Sequence, residues 1–361
     1  MSKHALAGVI GQRERIVIGT VVDQIRATQD NLALQLLPMK NVPAAYFINT
    51  QITSWGGQTG ERGFDAQGKN IPARSHNQRL FAPGAYQESI RFNERDLLMY
   101  AKAGTLEERG ITGLGGDQLD EMTLAAEKLK GRIENRMSNL IWQSFFTGKY
   151  TYQGVITDFG VPATQQFVSG SDWKNYATST PFTDLELLFG GYSPLMRKYK
   201  FKEILMNPST FADLMQSFET KNVLKNYNLR SSDPNQIAQF LYPGLPSIRV
   251  IRDAYQEETY AVDGSVILGD AYYMVPDNKV LLVPDFGGLR YTQYGEFQIA
   301  ENMNDTSATL ARPAQGIYCF VDEKGLEQKK NPYVEIVAGF NGAPNLMRNQ
   351  DILTLTTHVG A

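Results

Sequence analysis

The chain has very few of the residues that metal and redox chemistry needs. Of its 361 residues, one is a cysteine and three are histidines. The single thiol, Cys319, excludes an intramolecular disulfide and fits a reducing compartment. The histidines, His4, His76 and His358, do not lie in the H-E-x-x-H or H-x-x-E-H spacing, so zinc hydrolysis is disfavoured. We therefore expect no bound metal and no cofactor.

The chain also has no large excess of charge of one sign and no long apolar run. Its 35 Lys and Arg residues face 38 Asp and Glu residues, a formal net charge of -3, which argues against nucleic-acid binding through a broad basic field. The apolar segment RIVIGTVV near the N-terminus is broken by Arg15, Gly19 and Asp23. We expect neither a secretory signal nor a membrane span, and no membrane partner.

Catalytic motifs are scarce as well. Ser193 is followed by proline in GGYSPL and does not form the G-x-S-x-G elbow of a serine hydrolase. Two carboxylate pairs could act as acid and base, Asp184 with Glu186 and Glu257 with Glu258. Because neighbours on a helix or strand face different ways, we interpret both pairs as solvated surface and expect no catalytic residue. Carboxylate catalysis stays open at this point.

Residues 117–147 carry the clearest structural signal. Apolar side chains recur at spacings of three and four residues, which predicts one long helix with a buried stripe. The stripe consists of Met122, Ala126, Leu129, Ile133, Met137 and Leu140. Asp117 is the predicted N-cap, Gly148 the predicted left-handed C-cap, and Gly131 the site of a predicted bend. Such a helix is roughly 45 Å long, more than a compact domain needs.

The rest of the chain predicts several zones of different character. Residues 1–45 are interpreted as an arm. Residues 51–90, rich in Gly, Arg and Gln, predict a two-stranded excursion that projects from the body and buries little. Residues 182–283 alternate helical stretches with the short strands EILM, SIRVI, SVILG and KVLLV, the pattern of a compact α/β or α+β lobe. Residues 289–340 predict long antiparallel strands, and ILTLTT near the C-terminus predicts one more.

Short motifs follow one another along the chain in an order typical of one family. They are a Gly-Lys-Tyr turn at 147–150, Asp158 with Gly160, Asp172 with Trp173, an Asn-Pro helix start within 204–211, GGLRYTQYG at 287–295 and a SAPL-like turn at 342–346. In this order they resemble the major capsid proteins of tailed bacteriophages, specifically the lambda-type branch (major capsid protein E family) of the Hong Kong 97 (HK97) fold. The resemblance covers about residues 45–361.

The resemblance implies an α+β, HK97-like capsid fold with four parts. These parts are an N-terminal arm (1–45), an extended β-hairpin loop or E-loop (46–95), a peripheral or P domain (96–160 and 289–345, with a spine helix at about 117–147) and a mixed α/β axial or A domain (161–288 and 346–361). The bend at Gly131 would then be used when a shell changes shape. Lys69, the only lysine in 51–90, lies between Gly68 and Asn70 in a polar stretch, so we expect a solvated amine and no covalent link between subunits.

The resemblance also implies a structural role and not an enzymatic one. The expected function is self-assembly into hexamers and pentamers of an icosahedral shell around packaged double-stranded DNA, which it contacts only non-specifically. A separate scaffolding protein and a portal are expected partners, and a decoration protein is allowed for. The expected location is the virion, with assembly in the host cytoplasm. Two alternatives stay open: an α/β enzyme with a pocket in 182–283, and a non-viral encapsulating shell protein of the same fold.

Overall fold

The computed structural model describes residues 31–43, 46–52, 76–93, 116–190, 201–226, 246–260, 266–284, 294–300, 317–324 and 333–358. The helices are α1 (Leu32–Leu36), α2 (Gly116–Thr147), α3 (Pro181–Gly190), α4 (Pro208–Gln216) and α5 (Phe218–Asn226). The strands are β1 (Met39–Val42), β2 (Phe47–Ile52), β3 (His76–Phe81), β4 (Gly84–Asn93), β5 (Lys149–Tyr152), β6 (Val155–Asp158), β7 (Gln166–Val168), β8 (Phe201–Met206), β9 (Ser247–Val250), β10 (Ala254–Tyr260), β11 (Val266–Tyr273), β12 (Lys279–Pro284), β13 (Gly295–Ala300), β14 (Ile317–Lys324), β15 (Tyr333–Leu346) and β16 (Leu353–Thr356). This mixture confirms the α+β class.

The long helix predicted from the apolar stripe is confirmed as α2. All six stripe residues are buried, because their spacing keeps them on one face of the helix. Gly148 follows the helix with a φ of +66°, and its N–H donates to the carbonyl of Ser144 at 2.9 Å, as a left-handed C-cap requires. The N-cap prediction is wrong: α2 begins at Gly116, so Asp117 lies inside its first turn.

The chain divides into two compact units. The first consists of Met1–Thr50, Gln78–Ser138 and Glu296–Asn345, and the second of Gln51–Asn77, Asn139–Gly295 and Leu346–Ala361. Each unit contains its own main sheet. The division follows spatial contacts and not chain order, so α2 contributes its first part to one unit and its last turns to the other.

The first unit is built around β15. This strand pairs antiparallel with β14 along one edge and with β4 along the other, while β1 pairs parallel with β13. A Cβ at Gly339, in the middle of β15, would collide with the Tyr86 carbonyl oxygen and lie 2.7 Å from the Tyr318 hydroxyl. The close approach of the flanking strands therefore leaves room only for glycine here.

Two expectations about projecting segments are corrected in the first unit. Residues 1–45 are predicted as an arm with little self-burial, yet Leu32 and Leu36 of α1 are fully buried, and Asn31 donates to the Ser138 hydroxyl at 2.6 Å. Residues 51–90 are predicted to project, yet β4 is paired along its length with β15. Apolar side chains bury α1, and ladder hydrogen bonds to β15 outweigh the polar composition of β4. Residues 1–30, 44–45 and 53–75 lie outside the described residues.

The second unit contains a sheet in the order β7-β16-β12-β8-β9. It confirms the strands predicted at EILM, SIRVI, KVLLV and ILTLTT. The hydrophobic core of the second unit lies where α3 and α4 cover this sheet. Trp173 is the largest side chain in that core. Asn207 caps α4 by accepting from the Thr210 N–H at 2.7 Å, with Pro208 in the first turn, so the predicted Asn-Pro helix start is confirmed.

One predicted turn is extended chain. Residues 342–346, the SAPL-like motif, are the last residues of the fourteen-residue strand β15. Ala343 and Leu346 are fully buried there. The side chain of Asn345 donates to the carbonyl of Ile48 at 3.0 Å, which ties the strand to β2. Side-chain pairing to a neighbouring segment, which no local motif encodes, keeps this segment straight.

Candidate interaction surfaces

Three two-stranded ribbons stand apart from the two main sheets: β2 with β3, β5 with β6, and β10 with β11. A two-stranded ribbon is marginal in water because it has no sheet face to bury. Even so, each of the three carries large apolar side chains on its surface. Leu80 on β3 is 73% exposed, Val155 on β6 is 69% exposed and Leu268 on β11 is 60% exposed. These ribbons are the candidate functional surfaces of the chain.

The β10–β11 ribbon is the most exposed of the three. Every residue of β11 is exposed, and the strand pairs antiparallel with β10 from Ala254↔Tyr273 to Tyr260↔Val266. A bulge follows Gln256, where a Cβ at Gly269 would lie 3.2 Å from the carbonyl oxygen of Glu257. A bulge increases the twist of a strand, which hinders unintended edge-to-edge pairing with strands of other molecules.

Alternation along the strands gives the β10–β11 ribbon two faces. One carries Val266, Leu268 and Tyr273. The other carries the rings of Tyr255 and Tyr272, which pair across the strands with centroids 5.9 Å apart. On this second face the charges of Asp270 and Glu257 raise the pKa of Tyr272 above its ordinary value, because an anionic phenolate would be repelled there. The ribbon is therefore apolar, aromatic and acidic at once.

The base of this ribbon is fixed to the core of the second unit. The N–H of Met274 donates to the carbonyl of Asp253 at 2.8 Å, directly below the two strands. The neighbouring side chains of Ile251 and Val275 are buried, and the Asn207 amide donates to the Val275 carbonyl at 3.2 Å. The ribbon thus leaves the core from a rigid base.

The β5–β6 ribbon follows α2 directly and is a tight hairpin. Its turn residues Gln153 and Gly154 have φ values of +47° and +80°, the left-handed pair that a two-residue hairpin with native twist needs. Val155 and Ile156, just after the turn, are both exposed. At its base the Phe159 N–H donates to the Gly148 carbonyl at 2.9 Å. An apolar hairpin tip is thus held at the end of the long helix.

The β2–β3 ribbon has one buried and one exposed side. Phe47 and Phe81 are buried and meet edge to face with ring centroids 5.7 Å apart. Tyr46, Ile48 and Leu80 are exposed instead. The end of β2 and all of β3 belong to the predicted excursion, 51–90. Residues 53–75 of that excursion, including Lys69, lie outside the described residues.

The acidic residues considered for catalysis are separated by the fold. Asp184 is buried, which corrects its interpretation as solvated surface, while Glu186 is exposed. The Asp184 carboxylate accepts hydrogen bonds from a loop that wraps around it, namely from Ser169 Oγ (2.5 Å), Gly170 N (3.2 Å), Ser171 Oγ (2.8 Å) and Trp173 Nε1 (3.0 Å). A carboxylate with this many donors organises the loop around the buried tryptophan. Glu257 is exposed on the β10–β11 ribbon.

The single cysteine is packed inside its unit, and His358 is paired with a carboxylate. Cys319 is buried in the first unit. His358 Nδ1 lies 2.8 Å from Asp172 Oδ1. Burial acts to raise the pKa of Asp172, but a hydrogen bond from the Lys174 N–H and the pairing with His358 lower it below its ordinary value. Ser193 and His4 lie outside the described residues.

The described residues contain neither a metal-binding cluster nor a membrane-spanning helix. No group of three or more His, Cys, Asp or Glu side chains there could hold a metal ion. No helix within those same ranges is long and apolar enough to cross a membrane.

Comparison with known proteins places the fold. No family model and no curated protein matches the chain. Among solved structures, it is similar to a prophage protein of E. coli CFT073 assigned as a capsid protein, with 12% identity over 93% of this chain and 96% of that one and a TM-score of 0.54. It is also similar to a phage-related protein from Bordetella bronchiseptica RB50, with 10% identity over 94% and 96% of the two chains and a TM-score of 0.53.

A third similar structure is the capsid of a native GTA particle, with 12% identity over 91% of each chain and a TM-score of 0.50. At these identities the comparison establishes the fold. The chain therefore has the fold of shell-forming structural proteins. More specifically, this is the Hong Kong 97 capsid fold that the order of its motifs predicts.

The exposure of the β10–β11 ribbon was not predicted from the sequence. SVILG was expected in the compact lobe, whereas its residues Val266 to Gly269 belong to β11 and are exposed. One signal was present: residues 254–273 contain no Lys or Arg but four acidic residues, Glu257, Glu258, Asp263 and Asp270. A strand pair bearing charges of one sign amid aliphatic residues is unsuited to a closed core.

Proposed function

We propose that the chain is a major capsid protein of the tailed-phage type. It assembles through contacts between its own copies into hexamers and pentamers, which close into an icosahedral shell around packaged double-stranded DNA. The observation that carries this proposal is the combination of a capsid fold over more than nine-tenths of the chain with projecting ribbons whose apolar side chains have no cover in the single subunit. Isolated soluble domains seldom leave such strands uncovered.

The ribbons suit assembly for a physical reason. Exposed aliphatic and aromatic side chains on narrow projections can be buried against a neighbour without rearranging either core. Each such contact is modest, but a closed shell repeats it many times, so the assembly as a whole is stable. A subunit that serves in rings of two sizes gains from contacts on projections that tolerate small rotations.

We propose the same division into parts as the resemblance implies. The P domain comprises 96–160 and 289–345 with α2 as its spine, and the A domain comprises 161–288 and 346–361. Residues 1–45 form the arm, apart from the buried helix α1, and 46–95 form the extended loop, apart from β4, which pairs with β15. Strands β2 and β3 form the base of that loop. The proposed partners are a scaffolding protein, a portal and a decoration protein, and the proposed location is the virion after assembly in the host cytoplasm.

Electron microscopy of the purified chain tests the proposal. We expect closed shells, or rings of copies, above a threshold protein concentration. Particles that remain at the 40.4 kDa chain mass at every concentration would contradict the proposal. Co-expression with other phage genes is not needed to see rings, because the contacts lie within the chain itself. Shells that form but exclude DNA during packaging would favour a non-viral encapsulating shell instead.

A further inference from the structure

The second unit carries a basic surface whose chemistry is opposite to that of the acidic β10–β11 ribbon. Helix α5 presents Phe218, Lys221 and Lys225 on one outward stripe, at positions i, i+3 and i+7. All three are exposed, and Phe218 is 58% exposed. The other face of α5 is turned inward. Thr220 is fully buried there, and Leu224 packs against the core of the unit. The stripe is therefore fixed toward solvent by the packing behind it.

Two residues of a neighbouring loop extend this surface. The N–H of Phe218 donates to the carbonyl of Tyr176 at 2.8 Å, which sets the exposed Tyr176 beside the helix start. Lys174, also exposed, lies two residues earlier. We call the five residues Lys174, Tyr176, Phe218, Lys221 and Lys225 the α5 patch.

The acidic groups near the α5 patch are occupied within the subunit. Asp213 is buried and accepts from the Tyr176 hydroxyl at 2.9 Å, an interaction that raises the pKa of Tyr176. Glu219 accepts from the Phe182 N–H at 2.7 Å and the Thr183 hydroxyl at 2.7 Å, which caps the start of α3. By contrast, neither Lys221 nor Lys225 forms an ion pair within the described part of the chain. Asp172, which is exposed two residues before Lys174, is paired with His358. The unpaired charge that the patch presents outward is that of Lys221 and Lys225, so it is basic.

The two surfaces complement each other in charge and in apolar character. We propose that the β10–β11 ribbon of one copy binds the α5 patch of the next copy, an inference that rests on the proposed self-assembly. Glu257 and Asp270 of the ribbon would face Lys221 and Lys225. The tyrosine rings and the exposed Ile267, which lie on this same face of the ribbon, would cover Phe218 and Tyr176. Both surfaces are exposed in the same subunit, so they do not satisfy each other internally.

The alternatives for the ribbon are less favourable. Two ribbons packed on each other would set like charges together, since residues 254–273 contain no basic residue. The same absence makes nucleic acid an unsuitable partner. A ribbon bound to a different patch on the neighbour is a head-to-tail contact, and a contact of this kind closes into rings when its rotation permits. The proposal thus names a contact that builds rings and not isolated dimers.

Charge reversal tests this contact. One variant carries Lys221→Glu with Lys225→Glu, a second carries Glu257→Lys with Asp270→Lys, and a third combines all four changes. Circular dichroism and thermal unfolding of the free subunits check that each variant folds. We expect each reversal alone to raise the concentration needed for assembly at least about tenfold, and the combined variant to restore it to within about threefold of the parent.

A mixture of the two reversed variants gives a second readout. Copies of the two variants can satisfy every contact only by alternating, which is possible in a ring of six and impossible in a ring of five. We therefore expect native mass spectrometry of the mixture to show hexamers without pentamers.

The outcomes separate this inference from the proposed function. A parent protein that never assembles would overturn the proposed function and this contact with it. Normal assembly of either reversed variant, or no recovery in the combined variant, would overturn only the contact and leave the shell proposal intact.

Discussion

Strands β11 and β12 follow each other in the chain, have similar aliphatic residues and have opposite environments. β12 lies between β8 and β16 in the sheet of the second unit, and Val280, Leu281, Leu282 and Val283 are all buried. β11 is exposed along its whole length, although it contains Val266, Ile267 and Leu268. Apolar character alone therefore does not decide whether a strand is buried. Where a strand stays exposed in the subunit, its apolar residues are available for another molecule.

Leaving β11 exposed costs free energy, which the proposed assembly would offset. Burying one large aliphatic side chain contributes about 1.5–3 kcal/mol relative to leaving it exposed. β12 gains this contribution on folding. β11 gains it, on our account, only when a second copy covers it. Substitutions in the two strands should therefore affect different processes, folding in one and association in the other.

The largest effect is expected in β12. Leu282 is fully buried and pairs with Ile204 on one side and Leu353 on the other. Leu282→Ala should lower the free energy of unfolding of the free subunit by about 2–5 kcal/mol, because it removes buried methyl groups and leaves a cavity. Urea unfolding followed by circular dichroism measures this. A loss below about 1 kcal/mol would show that the stability of the subunit does not depend on the burial of β12.

The next effect concerns the loop that holds Trp173. Asp184→Ala removes the acceptor of the Trp173 indole N–H and of two serine hydroxyls. Leaving buried donors unpaired should cost about 1–3 kcal/mol of unfolding free energy. Glu186→Ala, at an exposed position of the same helix, is the matched control and should change the same quantity by less than about 0.5 kcal/mol. Equal losses in the two variants would refute the role given to Asp184.

A smaller effect of opposite sign is expected in α2. Gly131 lies inside this helix, and a Cβ there would meet nothing within 4 Å. Gly131→Ala should therefore stabilise the free subunit by about 0.5–1 kcal/mol, seen as a higher midpoint of thermal unfolding. If the glycine also serves as a bend during shell expansion, the variant should assemble normally but expand more slowly. A destabilised subunit would mean that the helix needs the glycine for packing.

The smallest effect on folding is expected in β11. Ile267→Ser changes an exposed residue on the face that carries Tyr255 and Tyr272, so the free energy of unfolding should stay within about 0.5 kcal/mol of the parent. Assembly should nevertheless require a higher protein concentration, because less apolar surface is buried between copies. Light scattering across a concentration series measures the threshold. A loss of subunit stability comparable to that of Leu282→Ala would show that β11 is part of a core after all.

The sequence predicted the elements whose signals are local. The stripe of α2 and the glycine after it fix a helix with its end, and Asn207 with Pro208 fix the start of α4. Features that depend on residues far away in the sequence were not predicted. Segment 342–346 is held extended by the pairing of Asn345 with β2, α1 is buried by contacts with other parts of its unit, and β11 is exposed because no third strand covers it in the described residues. Burial of Asp184 likewise depends on donors from a loop earlier in the chain.

Hydrogen exchange in free subunits and in assembled shells tests whether β12 is buried on folding and β11 only on association, because it measures both strands in the same sample. We predict that the amides of residues 279–283 in β12 exchange slowly in both states, since their sheet is buried on folding. Amides of Val266–Tyr273 should exchange rapidly in the free subunit and slow markedly on assembly, when a second copy covers the ribbon. Exchange of Val266–Tyr273 that is equally rapid in free and assembled protein would contradict the account.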